Sequence, residues 1–549
     1  MKNNNTLICI FIMATLSVIS TSAQTTDYFA DDGWVKPFDV TYPHPNSHYH
    51  NGVTYIAYMG ASGNGNDPSV ASYNHSTGEW RGPVRIGNNP LPNDDYHGKP
   101  SIVVDDQGYI HVVFGGHGGT VALAGSNQYG GYSDGELKHL KSNLPEDIGT
   151  GTSDWTRQNS APGGGSTGEI SVYATYPQFI KVPNGDIYLF CRHGNHHSDW
   201  TYQKSTDDGA TWGNEVPFLA YTWVETWYAW FSVNGDNINC VYNYHPGGSG
   251  DDRQDIYYMY LDTSTDTWYN VEGSNLSSKI PMNLKQSKKK TKVKNTNPDN
   301  YEVSSIVCRS DTSGIPHIAF QYYNDQAYHM MWDGSDWTTY VNLTTTSAIE
   351  EGKFDIMPIS STDVKVLVRR EDASGTKLAW WSMDPTSSYR NEDEVIMVEN
   401  GSSSYRPAAI PEFYHDDAKV MFFEKTGNDR VKIFMHGDSG LLTRGSASGS
   451  RIASTDEKLG DSSNPVADIT VDNQLRVYPN PANNRVIVDL GNESLQSVQI
   501  YTTTGQLMLS ETGINDSRVD MNIQGLKSGY YMIRVNGVST IDVRTLIKN

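Results

Sequence analysis

The sequence predicts an all-β chain, a seven-bladed β-propeller followed by a small β-sandwich, and three observations predict it. Fifty Gly, 34 Tyr and 13 Trp describe many short strands joined by tight turns. A polar turn carrying Gly, Asp or Asn, followed by a β-rich run, recurs seven times at spacings of roughly 50 to 80 residues: "HNGVTYIAY" (50–58), "DQGYIHVVF" (106–114), "PNGDIYLF" (183–190), "NGDNINCVYNY" (234–244), "TSGIPHIAFQYY" (312–323), "STDVKVLVRR" (361–370) and "HDDAKVMFFE" (415–424). Several copies are followed by a second hairpin signal that ends in an aromatic residue, as in "PSVASYNHSTGEW" (68–80) and "IYYMYLDTSTDTW" (256–268). Two successive hairpins make a four-stranded blade, and blades that cannot bury their faces alone close into a ring. A pair of β-sandwiches is the competing architecture, and the regular repetition disfavours it.

Taken in chain order, residues 1–23 combine a basic start at Lys2 with an apolar run and small residues before a cut after Ala23, the pattern of a secretory signal peptide. Cys9 leaves with it. Three cysteines remain, Cys191, Cys240 and Cys308, and an odd count in an exported chain excludes a full disulfide framework. Residues 24–437 hold the propeller. Within them "STDDGATW" (205–212) is an Asp box, a turn motif that resembles those of sialidase-type propellers and supports the fold rather than a chemistry. Residues 438–472 are rich in Ser, Gly and Asp and form a linker. Residues 473–549 alternate as a small β-sandwich does. Their "YPNPANN" and "GYYMIRV" resemble the C-terminal sorting domain of the type IX secretion system, which implies export across the outer membrane to the medium or the cell surface. A formal charge of −22 argues against nucleic acid as a partner, and no later apolar run is long enough to span a membrane.

Candidate chemistry gathers at the ends of the inner hairpins. In "YHGKPSIVVDDQGYIHVVFGGHG" (96–118), His97 and His117 lie equally far from the turn at Gln107, so a hairpin returns them to the same end. Tyr176 and Arg192 bracket Asn184 in the same way in the next repeat, and Trp227 or Tyr228 meets Tyr244 around Gly235 in the one after. Rotation from blade to blade then sets these ends side by side on one face. His111, next to the turn, reads as structural. No pair of acids of the kind a glycosidase needs emerges at these ends. His, Tyr and Arg suit a polysaccharide lyase instead. Arg neutralises a uronate carboxylate, which acidifies the adjacent carbon, and His and Tyr serve as base and acid.

Two stretches, "HGKPSIVVDDQGYIHVVFGGHG" and "YPQFIKVPNGDIYLFCRHGNHH", are similar to the propeller-type ulvan lyases. That resemblance implies β-elimination between rhamnose 3-sulfate and a uronic acid of the sulfated polysaccharide ulvan. It implies Tyr176 as acid and a second base, His97 as base or carboxylate partner, Arg192 as neutraliser and His117 as a further site residue. Two bases would let one site accept both glucuronate and iduronate. Trp227, Tyr244, Arg369 and Arg406 at strand ends are candidate substrate contacts, with Arg370 beside them. So is Lys289, in the basic run "KQSKKKTKVK" (285–294) expected in a loop between blades three and four. Catalysis requires no cofactor on this reading. "CRHGNHHSDW" gathers Cys191, His193, His196 and His197; His196 and His245 are the first candidates for a structural zinc or calcium, although the spacing matches no strong zinc motif. A sialidase-like glycoside hydrolase and a non-catalytic carbohydrate-binding propeller are the alternative functions.

Overall fold

A computed structural model describes residues 26–549 except 35–45, 61–65, 91–96, 117–125, 128–129, 132–135, 162–167, 195–197, 222–224, 247–252, 297–301, 323–325, 344–348, 373–374, 399–404, 408–412, 428–429, 445–474, 479, 481, 491–493, 503–506, 515 and 538–540. The signal-peptide segment, most of the linker, His117 and His196 therefore lie outside the described residues.

Seven antiparallel sheets follow one another along the chain. Blade one comprises Ser47–His50, Val53–Met59, Pro68–Asn74 and Glu79–Arg85. Blade two comprises Ser101–Val104, Ile110–Gly115, Leu137–Ser142 and Trp155–Arg157. Blade three comprises Thr175–Lys181, Ile187–Arg192, Trp200–Ser205 and Val216–Leu219. Glu225–Asn234 and Asn237–Pro246 open blade four, Val303–Ser310 and Pro316–Tyr322 blade five, and Ile349–Ser360 and Asp363–Asp372 blade six. In blade seven, Tyr405–Pro407, Val420–Gly427 and Arg430–Gly437 are completed by Ala30–Trp34 from the other end of the chain. Sheets of this size leave unpaired edges, and this exchange ties the first strand to the last blade, so the ring is closed by backbone hydrogen bonds.

The blades hold together through buried aromatic and aliphatic side chains between their faces. Phe190 stacks on Phe231 across blades three and four with ring centroids 4.0 Å apart, and Phe29 stacks on Trp80 at the closure at 4.5 Å. In the Asp box, Asp207 accepts the Thr211 N–H at 2.8 Å and the Thr211 hydroxyl at 2.6 Å, while Trp212 is buried. All three remaining cysteines are buried, and none forms a disulfide among the described residues. The C-terminal region forms two sheets around one apolar core that includes Val486, Val498, Ile500 and Ile533.

One expectation needs correcting. The basic run is not a loop between blades three and four. It follows the fourth strand of blade four, and Leu284–Lys290 is a helix capped by Asn283, whose side chain accepts the Gln286 N–H at 3.0 Å. The helix is anchored from below, where the buried Tyr242 hydroxyl bonds Ser287 Oγ at 3.1 Å and Thr291 Oγ1 at 2.6 Å. Lys288, Lys289 and Lys290 occupy its last turn, where cations complement the exposed carbonyls. Among the described residues no helix is long and apolar enough to cross a membrane.

Candidate active site

The inner hairpin of blade two pairs Ser101 with Val113 and Val104 with Ile110, in register about the Asp105–Gly108 turn. Beyond the strands, the Gly115 N–H still donates to the Gly98 carbonyl at 3.1 Å, so His97 stands at the open end. Gly116 at that end has φ +80°, and a Cβ there would come within 1.8 Å of the Ala174 carbonyl oxygen. Blades two and three thus meet backbone to backbone beside the site, a contact that only glycine permits.

In blade three the residue facing Arg192 across the hairpin is Thr175, and the register breaks between Thr175 and Gln178. Symmetry about the turn places Tyr176 within one residue of its position but does not foresee this bulge. Tyr176 has φ +57°, a left-handed conformation that costs a residue with a Cβ and that gathers at functional sites. The bulge re-aims its ring toward its neighbours. The ring lies 5.5 Å from His97 and 5.7 Å from Tyr228 of blade four, centroid to centroid.

Arg192 is 1% exposed. Its guanidinium carbon sits 5.0 Å from the Tyr176 ring centre and 5.5 Å from that of Tyr228. Among the described residues its Nε and Nη1 have no hydrogen-bond partner, although both are buried. Burying a cation with two idle donors is costly, and an anionic ligand is what would relieve it. Arg253 adds a second guanidinium, 4.6 Å from the Tyr228 ring.

These charges separate the two phenols. Burial, with the Tyr228 oxygen beside it, pushes Tyr176 well above the ordinary tyrosine range despite the pull of Arg192 and Arg253. Burial acts the same way on Tyr228, but Arg192 and Arg253, together with hydrogen bonds from Arg192 and Tyr176, outweigh it and hold that phenol below its ordinary value. Tyr176 is therefore the proton-bearing member and donates toward Tyr228. Sequence reasoning left Trp227 and Tyr228 as alternatives for this blade and missed Arg253. The signal for choosing was the alternation of side chains along a strand. Trp227 pairs with Tyr244 as expected, but it is fully buried and its Nε1 donates to the Ala220 carbonyl at 2.9 Å, so it is a core residue and not a substrate wall. Tyr228 pairs with Asn243, whose amide oxygen and nitrogen are both buried without a hydrogen-bond partner among the described residues, a second unmet polar group in this region.

Of the remaining candidates, Tyr244 is partly buried next to Trp227 at 5.7 Å. His245 is buried, 5.4 Å from the Tyr228 ring. Arg369 lies in blade six near the end of Asp363–Asp372 that leads away from the hairpin turn. Arg406 pairs with Phe423 in blade seven, its side chain outside the described residues, as is that of Arg370. Lys289 is exposed on its helix. His193 is used elsewhere, its Nδ1 2.8 Å from the buried Glu215 carboxylate.

Residues 53–343 match the family described as "BNR repeat-containing family member", and residues 476–549 match the secretion system C-terminal sorting domain. An ulvan lyase of Nonlabens ulvanivorans is 35% identical over 460 residues, covering 77% of this chain and 91% of that protein. An ulvan lyase of Alteromonas sp. (strain LOR) is 33% identical over 457 residues, covering 77% and 89%. Among solved structures, a PL25 ulvan lyase superposes with a TM-score of 0.67 at 33% identity, covering 77% of this chain and 98% of that one. A second structure of such a lyase, bound to -[GlcA(1-4)Rha3S]-, superposes with a TM-score of 0.66 at the same identity and coverage.

Proposed function

The chain belongs to the ulvan lyase family and carries a sorting domain for export, and from that premise we propose that it is a secreted enzyme cleaving ulvan between rhamnose 3-sulfate and a uronic acid. The observation that carries this reading is Arg192, buried with two idle N–H donors between two tyrosines. A uronate carboxylate brings this guanidinium both an acceptor and a countercharge. With its charge neutralised, the proton on carbon 5 becomes acidic enough for a side-chain base to remove.

His97 takes that proton. The electron pair forms the bond between carbons 4 and 5, the bond from carbon 4 to the glycosidic oxygen breaks, and Tyr176 protonates the departing oxygen. Its raised pKa keeps Tyr176 protonated until the moment of bond cleavage. Tyr228, biased toward the phenolate by two arginines, anchors the Tyr176 hydroxyl. For a uronate of opposite configuration at carbon 5, Tyr176 approaches from the other face, passes its own proton to the Tyr228 phenolate, takes the carbon-5 proton as base and returns it to the departing oxygen as acid. Arg369, Arg406 and Lys289 supply positive charge for sulfate groups along the chain, and Tyr244 offers a ring to the sugar. The type IX machinery reads the C-terminal domain.

The deciding experiment incubates the full chain with ulvan and follows the ultraviolet absorbance of the unsaturated uronate. A rise in step with falling polymer length supports the lyase. Shortening without absorbance indicates a hydrolase, and binding without shortening a lectin.

A further inference from the structure

The opposite end of the propeller holds a second cluster, on the seam where the ring closes. His75 follows the strand Pro68–Asn74 of blade one, while His415 and Asp417 sit in the turn before Val420–Gly427 of blade seven. One donor atom from each of the three lies within 4.8 Å of the other two. The His75 and His415 rings are stacked with centroids 3.9 Å apart. We propose that His75, His415 and Asp417 bind a divalent zinc-class ion that clips the first blade to the last.

The donor set fits such an ion. Two imidazoles and a carboxylate without cysteine favour Zn²⁺ or a neighbouring transition metal, with water completing the shell. Donors that share one zinc stand no more than about 4.2 Å apart, twice a Zn–N bond, so seating the ion needs a contraction of about half an ångström. The surroundings orient the ligands. Thr54 Oγ1 lies 2.8 Å from His75 Nε2, which leaves Nδ1 as the ligating nitrogen, and that Nδ1 is buried with no partner among the described residues. His415 Nδ1 accepts the Asp417 N–H at 3.1 Å, and Tyr49 and Tyr73 wall the two rings. Asp417 receives the Ser439 N–H at 3.2 Å on Oδ1, leaving Oδ2 for the ion. Lys419, the nearby cation, is already committed to Asp416 and Asp438 at 3.3 and 2.8 Å.

The consequence is mechanical. The rings belong to opposite ends of the propeller's sequence, and an ion held only by the closed ring stabilises closure by mass action. It adds to the hydrogen bonds of Ala30–Trp34 and to the Tyr49 N–H, which donates to the Phe413 carbonyl at 2.9 Å across the same seam.

The test uses the full chain stripped with a chelator and then titrated with Zn²⁺, comparing wild type with Asp417→Asn and with His75→Ala/His415→Ala. We expect wild type to retain one zinc more per chain than either variant, a zinc-dependent rise in Tm of several degrees that both variants lose, and unchanged ulvan cleavage throughout. Asp417→Asn preserves size and keeps the test valid if the double variant folds poorly. Equal zinc content in wild type and variants, or a wild-type Tm that zinc does not move, overturns the proposal.

Discussion

Two arginines, one at the reaction end of blade three and one between blades five and six, show how this molecule separates structure from chemistry. Arg309 forks onto Asp355 with Nε–Oδ1 at 3.1 Å and Nη2–Oδ2 at 2.9 Å, and the Asp355 carboxylate is 2% exposed. Arg192 is still more buried and pairs with no carboxylate among the described residues. It faces two tyrosines, with two donors unmet among the described residues. The first arginine is finished by the fold, and the second is left for a ligand to finish.

The difference can be broken from both sides. Arg192→Met keeps the side-chain volume and removes the charge, and we expect kcat/KM on ulvan to fall by at least about 10³-fold, with Tm at or above that of wild type because an uncompensated buried cation has gone. Arg309→Met strands the Asp355 carboxylate, so stability falls by about 3 kcal/mol while kcat/KM is retained below the new Tm. Thermal unfolding and the unsaturated-uronate assay on both variants check the contrast, and a Tm loss in Arg192→Met matching that of Arg309→Met would remove its basis.

Next in size is Tyr176→Phe. The hydroxyl is the proposed acid, and its loss lowers kcat by about 10²–10⁴-fold with little change in fold, since the ring that fills the space remains. His97→Ala should fall by a similar factor on glucuronate but less on iduronate, where Tyr176 serves both roles, so assays on epimer-defined substrates separate the two bases.

Why was so much of this legible in the sequence, and some of it not? A two-residue period and turn chemistry are local, so seven repeats and their hairpin midpoints can be read directly, and the blade-two register about Gln107 follows the spacing. A bulge is a local exception to that period. It moved Thr175 into the place symmetry gave to Tyr176, and nothing in "ATYPQF" announces it apart from the proline. Arg253 precedes the third strand of blade four and reaches Tyr228 only in three dimensions. The Ala30–Trp34 closure is equally non-local, because a single strand far from its partners carries no repeat signal. The basic run reads as a loop from its Lys-rich composition alone, whereas the Asn283 and Gln286 cap signals a helix start.

Tyr228→Phe has a smaller expected effect, about 10-fold in kcat, because it removes a partner of Tyr176 rather than the proposed acid. Its signature is the pH profile. Arg192 and Arg253 hold Tyr228 below the ordinary tyrosine value in wild type and the phenolate is the form that anchors Tyr176, so the rise in activity with pH that follows its ionisation should vanish in the variant. A profile unchanged in shape would show that the phenol takes no part.

The smallest effect on turnover belongs to the histidines at the other end of the same hairpins, and it sharpens the contrast from the structural side. In blade two, His111 Nε2 lies 3.1 Å from Asp105 and its Nδ1 2.9 Å from His139 Nε2, all three residues being buried. Blade five repeats the arrangement, with His317 3.6 Å from Asp311 and 2.9 Å from His329. Burial lowers the pKa of all four histidines below 6.5, to about 4 for His317, even against the pull of the aspartates. The unfolded chain therefore binds more protons than the folded one below pH 6.5, and stability is lost as pH falls from there toward 4. His111→Ala leaves the Asp105 carboxylate short of a partner and opens a cavity, for a loss of about 2–3 kcal/mol. We expect Tm to drop and to depend less on pH as it falls below 6.5, while kcat on ulvan below the Tm stays within about twofold of wild type. Loss of turnover without loss of Tm would instead place His111 in the reaction, and the division between the two ends of the hairpin would fail.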